Sequence, residues 1–376
     1  MILGNHLPVV SPFVCRCVIA AALGAIFGGS SLAFAGAPVS FRFAVTDDSR
    51  AEGGWAARDN GVATVVVNAI ARDIAAQRLD LVLFPGDMAS GTNDPQREES
   101  MLKSWKKAMA PVYDAGIPVY VTRGNHEYRP SRHGAKNPDS PVGTFLQSFP
   151  MPLNGPAGEK GLTYSFGYKN ARFIAFDQYA GRQPGFDNTR FAPGANRGQM
   201  MNRWVLDEIE RSSSGVTFVM GHEMLTPSSH TDCLANDPDS RDALLRALGS
   251  HNGTYFAGHD HLYLRGVFTD VEGRRVPAFV VGTGGAGNYD YKGDGSAGTY
   301  PGAPRYQLQK VLANRDNPYF GYLLVTVYAD NSWRAEFRGF RFNKWGDASD
   351  VSLSPITVLD AVTSTEMAAK SVPASR

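Results

Sequence analysis

The sequence predicts an α/β fold built on a parallel sheet with crossover helices. Three observations predict it: strand and helix patterns alternate from residue 41 to residue 121, the middle strand is an unbroken apolar run, and side chains able to bind metal follow the strands directly. Residues 41–46, Phe-Arg-Phe-Ala-Val-Thr, alternate loosely and read as the first strand. Val62 to Leu79 repeats apolar residues at helical spacing, and Asp80-Leu-Val-Leu-Phe84 reads as a buried strand. Residues 98–113 read as a second helix and Pro118–Val121 as the third strand. This order needs crossovers between parallel neighbours. Ligand chemistry in such sheets gathers beyond the carboxyl ends of the strands.

The remaining elements follow in order. Residues 128–161 are rich in Pro, Gly, Ser and Arg and are expected to form a long surface excursion. Residues 163–168 and 172–176 read as a hairpin around Lys169-Asn170-Ala171. Residues 197–211 read as a helix with Met200, Trp204, Leu206 and Ile209 on its apolar face, and 216–220 and 254–257 as strands ending at histidines. Short strands are expected near 262–269, 276–282, 321–329 and 333–339, with a Gly/Tyr/Pro-rich loop over 284–318. The chain thus divides into a secretory signal peptide at 1–35, one domain over 36–350, and a partly disordered C-terminal tail at 351–376.

The leader rests on Arg16, the apolar run Cys17–Leu23 and the small-x-small pattern Ala33-Phe34-Ala35 ahead of Gly36. The apolar stretch is interrupted at Gly28-Gly29-Ser30-Ser31 and is short for a spanning helix. An exported chain, periplasmic or secreted, with no stable membrane anchor is the expectation. The 37 basic and 36 acidic residues include Arg16, so the chain after residue 35 is formally neutral. That balance gives no support for nucleic-acid binding or for adhesion to an anionic membrane. Cys15 and Cys17 lie in the leader, which leaves Cys233 as the single thiol and no internal disulfide.

Five motifs carry the chemistry: Asp48-Ser49-Arg50, Gly86-Asp87, Gly124-Asn125-His126-Glu127, Gly221-His222 and Gly258-His259-Asp260-His261. Two cations about 3.5–4 Å apart can clamp the attacking and leaving oxygens of a phosphoester displacement. They need a shared carboxylate, and Asp87 is the natural bridge, with Gly86 allowing a tight backbone turn. Asn125 offers an amide oxygen, while His222 and His259 offer imidazoles suited to zinc, iron or manganese. His259 and His261 share one face of an extended strand. His126, adjacent to Asn125, points elsewhere and is placed to protonate a leaving group, with Glu127 a candidate for the carboxylate that orients it.

In this order the motifs resemble those of the calcineurin-like metallophosphoesterases, the superfamily that includes purple acid phosphatases, over roughly residues 41–285. The resemblance implies a four-layer α/β/β/α sandwich with two mixed sheets and the metal site at the C-terminal rim of the strands. It implies two divalent or trivalent ions, manganese, iron or zinc, and hydrolysis of a small-molecule phosphate ester by a metal-bound hydroxide. By position, Asp48 and His261 resemble first-metal ligands, Asp87 the bridge, and Asn125, His222 and His259 the second-metal ligands. His126 resembles the leaving-group acid.

One departure is serious. The family's first motif is usually Asp-x-His, and here the third position is Arg50, whose guanidinium offers no lone pair. Met88-Ala89-Ser90 also lacks the tyrosine that purple phosphatases place after the second aspartate. The first metal is therefore expected to bind weakly, or mainly when substrate is present. Arg50 either contacts a substrate phosphate or turns outward to surface acids. Family spacing selects Asp48 over Asp47 as the ligand. The functional expectation is an exported phosphoesterase with monoesters favoured over phosphodiesters, the preference resting on analogy alone. The alternative is a degenerate one-metal module that binds phosphorylated ligands without turnover, against which the retention of His126 argues. His133, His230 and His251 read as surface or loop residues, with His230 bordering the pocket as the other reading. Tyr289, Tyr291 and Tyr300 either wall the site or simply pack.

Overall fold

The apolar alternation of the first strands forces two packed sheets. A computed structural model describes residues 37–51, 60–128, 140–179, 196–230, 233–292, 305–312, 315–316, 318–344 and 352–369. The segment read as a leader, His133, Tyr300 and parts of the stretches 128–161 and 284–318 lie outside the described residues. The first half winds through β1 (Val39–Val45), α1 (Thr64–Gln77), β2 (Leu81–Phe84), α2 (Pro95–Ala108), α3 (Ala110–Asp114) and β3 (Val119–Val121). β1 pairs with β2 and β2 with β3, both in parallel. A helix, α4 (Ser140–Ser148), follows in the excursion read from sequence as surface loop.

The second sheet takes β4 (Tyr164–Tyr168), β5 (Ala171–Phe176), β6 (Val216–Gly221), β7 (Gly253–Ala257), β8 (Tyr263–Thr269), β9 (Arg275–Val281) and β10 (Arg305–Leu312). Its order is β10-β8-β9-β7-β6-β5-β4, with β5, β6, β7 and β9 mutually parallel. The chain then returns through β11 (Phe320–Tyr328), β12 (Trp333–Phe340), a small ribbon of β13 (Phe342–Lys344) and β14 (Ser352–Leu353), and β15 (Thr357–Thr363). These complete the first sheet in the order β15-β12-β11-β1-β2-β3.

Successive strand residues face opposite ways. Phe41, Phe43, Val45, Leu81 and Leu83 therefore point at Phe173, Phe218, Phe256 and Phe279 of the other sheet, forming the core between the sheets. The Phe43 ring meets Phe173 edge-on at 5.3 Å and Phe218 at 5.0 Å. The outward residues Ala44, Val82 and Phe84 pack beneath Val66, Ile70 and Ile74 of α1 and Met101 and Trp105 of α2. Across the molecule α5 (Asn196–Glu210) and α6 (Pro238–Ser250) cover the second sheet with Val205, Ile209, Leu244 and Leu248. The result is the four-layer α/β/β/α sandwich implied by the motifs. No described helix is long and apolar enough to cross a membrane.

Several boundaries differ from expectation for identifiable reasons. Asp94 caps α2 by accepting from Gln96 N at 2.9 Å, and Pro95 at the first helical position suits that start. Pro111 has no N–H to continue the helix, so α2 and α3 are separate. β10 lies inside the stretch read as loop. The segment read as a tail instead supplies β15, the edge strand beside β12, and α7 (Ser364–Ala368), capped by Thr363 and Glu366. Asp360 of β15 bonds Arg265 Nε at 2.6 Å, tying the strand to the second sheet.

Glu98 is buried in the first turn of α2, and burial pushes its carboxyl up to about 7. Below its unfolded value both states are protonated and nothing is lost. As pH rises the unfolded chain ionises first, so stability falls until the native carboxyl has also ionised. Glu98→Gln is expected to stabilise the protein by about 3 kcal/mol at pH 8 and by less than about 1 kcal/mol at pH 5, read by urea unfolding at both pH values.

A candidate metal centre at the strand ends

The parallel strands of both sheets deliver the five motifs to one rim. Asp47 and Asp48 follow β1, Asp87 follows β2, Asn125 and His126 follow β3, His222 follows β6, and His259 and His261 follow β7. Asp48, Asp87 and His259 adopt left-handed φ values of 57°, 50° and 67°. Such a conformation costs a non-glycine residue about 1–2 kcal/mol, and strain of this kind collects at functional sites. Glu127 fixes the loops: its carboxylate accepts from Asp87 N and Met88 N at 2.8 Å and from Gly124 N at 2.9 Å. Glycines let the loops close in. A Cβ at Gly124 would lie 2.1 Å from Asp87 Oδ1, and one at Gly258 1.6 Å from Asp47 Oδ2.

The His222 ring is set by its partners. Nδ1 stands 3.2 Å from Asp47 Oδ2 and donates to it, which leaves the lone pair on Nε2. That lone pair faces Asn125 Oδ1 at 3.1 Å and Asp87 Oδ1 at 3.5 Å. Three lone pairs turned on one point repel each other until a cation stands between them, so this half of the centre fits a divalent metal. The His259 ring lies edge-on to His222 at 5.1 Å between centroids. Asp47, Asp48 and His222 also converge, with one donor atom each within 4.8 Å of one another. Because Asp47 Oδ2 is engaged by Nδ1–H, that carboxylate orients the imidazole and the Nε2 side is the one open to a metal.

The other half is built differently. Asp48 Oδ2 accepts from His259 N at 2.7 Å, and its Oδ1 stands 3.6 Å from His261 Nε2. His261 Nδ1 donates to Gly287 O at 2.9 Å, so Nε2 again carries a lone pair. Arg50 reaches it: Nη2 lies 3.2 Å from His261 Nε2 and 3.1 Å from Tyr289 Oη, while Nε is 3.7 Å from Asp87 Oδ2. The Arg50 side chain is only 14% exposed. The outward reading of Arg50, pairing with surface acids, is thereby corrected. Tyr289 stacks on His261 at 4.1 Å and walls the site.

Charge is badly balanced here. Burial first, then repulsion from Asp48 and Asp87, holds Asp47 well above the usual carboxylate range. Burial and Asp87 do the same to Asp48 and to Glu127. Burial also pushes Asp87 up, but positive charge beside it, His126 first, outweighs burial and holds this carboxyl well below the ordinary value. Burial, then Arg50, holds His261 well below the usual imidazole range, so it is neutral. Asp47 Oδ1 and Asp48 Oδ1 are buried and have no hydrogen-bond partner among the described residues. A buried cluster of carboxylates with idle oxygens calls for a cation.

The sequence model of calcineurin-like phosphoesterases matches residues 60–263, more than half of the chain. The chain belongs to the calcineurin-like phosphoesterases. Membership makes it a phosphoric ester hydrolase of a metal-dependent family. Solved structures share the fold of this phosphoesterase. A protein described as PhoD is 15% identical with a TM-score of 0.56, over 90% of this chain and 74% of that one. A purple acid phosphatase from yellow lupin (Lupinus luteus) seeds is 15% identical with a TM-score of 0.55, over 89% of this chain and 57% of that one. A dimetal phosphatase from Danio rerio is 16% identical with a TM-score of 0.52, over 88% of this chain and all of that one. No curated protein matches the chain in sequence.

In this calcineurin-like phosphoesterase all eight residues singled out from sequence sit at the one rim. His126 Nδ1 donates to Ser90 O at 2.8 Å, and Nε2 lies 3.7 Å from Asp87 Oδ2. The residue that orients His126 is thus a backbone carbonyl, and Glu127, the sequence candidate, is occupied with backbone N–H groups instead. Two residues take roles that the sequence left open. Asp47 stands behind His222, a role visible in sequence only as an unexplained Asp-Asp doublet. His230 is held by Asp260, whose Oδ1 accepts from His230 N at 2.9 Å and from Nδ1 at 2.7 Å and whose Oδ2 is bonded by Ser228. The His230 ring lies 4.4 Å from His259 and 5.0 Å from Tyr289, so it borders the site. His251 is remote, bonded to Ala247 O.

Proposed function

We propose that this phosphoesterase is an exported enzyme that hydrolyses small phosphate esters, monoesters in preference to diesters, with a divalent metal held by Asp87, Asn125, His222 and His259. The observation that carries the reading is the convergence of the His222, Asn125 and Asp87 lone pairs beside His126. When bound, the metal supplies a Lewis acid for a phosphoryl oxygen and acidifies a water. The chain's own residues do the rest. Asp47 keeps His222 Nε2 turned into the site. Ser90 O takes the His126 Nδ1 proton in a hydrogen bond, so the proton delivered to the departing oxygen is the one on Nε2. Arg50, beside Asp87, adds positive charge that suits the dianion of a monoester better than the monoanion of a diester. Two of the similar structures are themselves described as phosphatases, which supports the same preference. Export rests on the leader pattern of residues 1–35.

Initial rates on 4-nitrophenyl phosphate and bis(4-nitrophenyl) phosphate, with metal added, test the substrate class. The monoester is expected to show a kcat/KM higher by about ten-fold or more. A faster diester reverses the assignment. Binding of both esters without turnover of either supports the degenerate module.

A further inference from the structure

We propose that the Arg50 guanidinium takes the place of one cation, so that the centre holds a single divalent ion rather than a pair. The inference rests on the metal-dependent reading above and deepens it. Its ground is the way the two sides of Asp87 are used. Oδ1 faces His222 Nε2 at 3.5 Å, on the side where lone pairs converge. Oδ2 faces Arg50 Nε at 3.7 Å, on the side of His261 and Asp48. One carboxylate therefore bridges a metal position and a guanidinium.

Arg50 already engages the His261 and Asp87 donors on its side. The His261 lone pair is fixed towards the site by the Nδ1–H bond to Gly287 O, and Arg50 Nη2 meets it at 3.2 Å. Asp48 Oδ2 accepts from His259 N at 2.7 Å, and its Oδ1 is the idle oxygen on this side. Nη2 has a second acceptor in Tyr289 Oη at 3.1 Å, and the Tyr289 ring stacks on His261. The backbone holds the arginine in register through the Arg50–Val62 bridge and the bond from Ala51 N to Gly61 O at 3.1 Å. A second dication would have to expel a buried, permanently charged group from its acceptors, and a guanidinium does not lose its proton to make room.

The test is a metal count with manganese as the probe. The folded protein is loaded with excess Mn2+, freed of unbound ion by gel filtration, and assayed by elemental analysis and by electron paramagnetic resonance. The expected result is one Mn2+ per chain with the six-line signal of an isolated ion. Arg50→His supplies a ligand where the charge was and is expected to hold two, with the multiline signal of a manganese pair. Arg50→Ala removes the charge without adding a ligand and guards against a misfolded histidine variant. It is expected to bind more than one Mn2+ per chain at the same free concentration. Two ions in the wild type overturn the inference and leave the phosphoesterase reading standing. One ion in every variant that folds also overturns it, because the guanidinium is then not what excludes the second. No bound Mn2+ in the wild type defeats both readings.

Discussion

Asp87→Asn is expected to empty the centre and to lower kcat/KM by on the order of 10³-fold or more, because no other described residue serves both of its sides. Asp87 Oδ1 stands 3.5 Å from His222 Nε2, and Oδ2 lies 3.7 Å from both Arg50 Nε and His126 Nε2. An amide keeps the shape but loses the charge and one acceptor oxygen. The metal then loses its only fully ionised donor, and Arg50 loses its buried partner. Breaking a buried charge pair by removing one member costs about 3–5 kcal/mol. The variant is therefore expected to melt earlier as well. Loss of activity must be read beside a circular dichroism spectrum that shows the fold retained.

His126→Ala should separate chemistry from binding. The imidazole contacts the protein through Ser90 O and Asp87 rather than through the His222 and His259 pair, so metal content is expected to stay at the wild-type level. A positioned general acid contributes about 10²–10⁴-fold. That loss is expected in full for an alkyl phosphate, whose alkoxide cannot leave without a proton. For 4-nitrophenyl phosphate, whose phenolate leaves unaided, the loss should be only a few-fold. Equal losses on the two substrates would mean that His126 acts in some other way, such as holding the substrate.

The gathering of the candidate residues at one rim was legible because each motif is local. A strand that ends in Gly-Asp, Gly-Asn-His or Gly-His announces both its direction and its candidate ligand, and the parallel winding brings such ends together. The parts that were not legible depend on distant partners. Glu127 binds backbone N–H groups about 40 residues away in sequence, and nothing in Gly124-Asn125-His126-Glu127 distinguishes that clamp from a histidine orienter. Asp47 and Asp48 differ in role only because the left-handed turn at Asp48 sends neighbouring carboxylates in different directions. His230, left between a surface and a pocket-border reading, is drawn to the site by Asp260, a residue on another loop. β15 alternates weakly and pairs only with β12, an edge position whose stability comes from tertiary contact rather than local propensity. The substitution of Arg50 for histidine was plain in the sequence, but the direction of its side chain was fixed by Tyr289 and His261, more than 200 residues away.

The central claim, that a metal held by these residues drives phosphoester hydrolysis, is tested most directly by measuring bound metal and turnover of 4-nitrophenyl phosphate on the same samples. Wild-type protein is stripped by chelation and reloaded in steps, with Asp87→Asn carried through the same series. The expected result is no turnover in the stripped protein, a rate that rises in proportion to bound metal, and neither metal nor turnover in Asp87→Asn. Turnover that persists in metal-free protein, or a fully loaded wild type that leaves every ester intact, contradicts it.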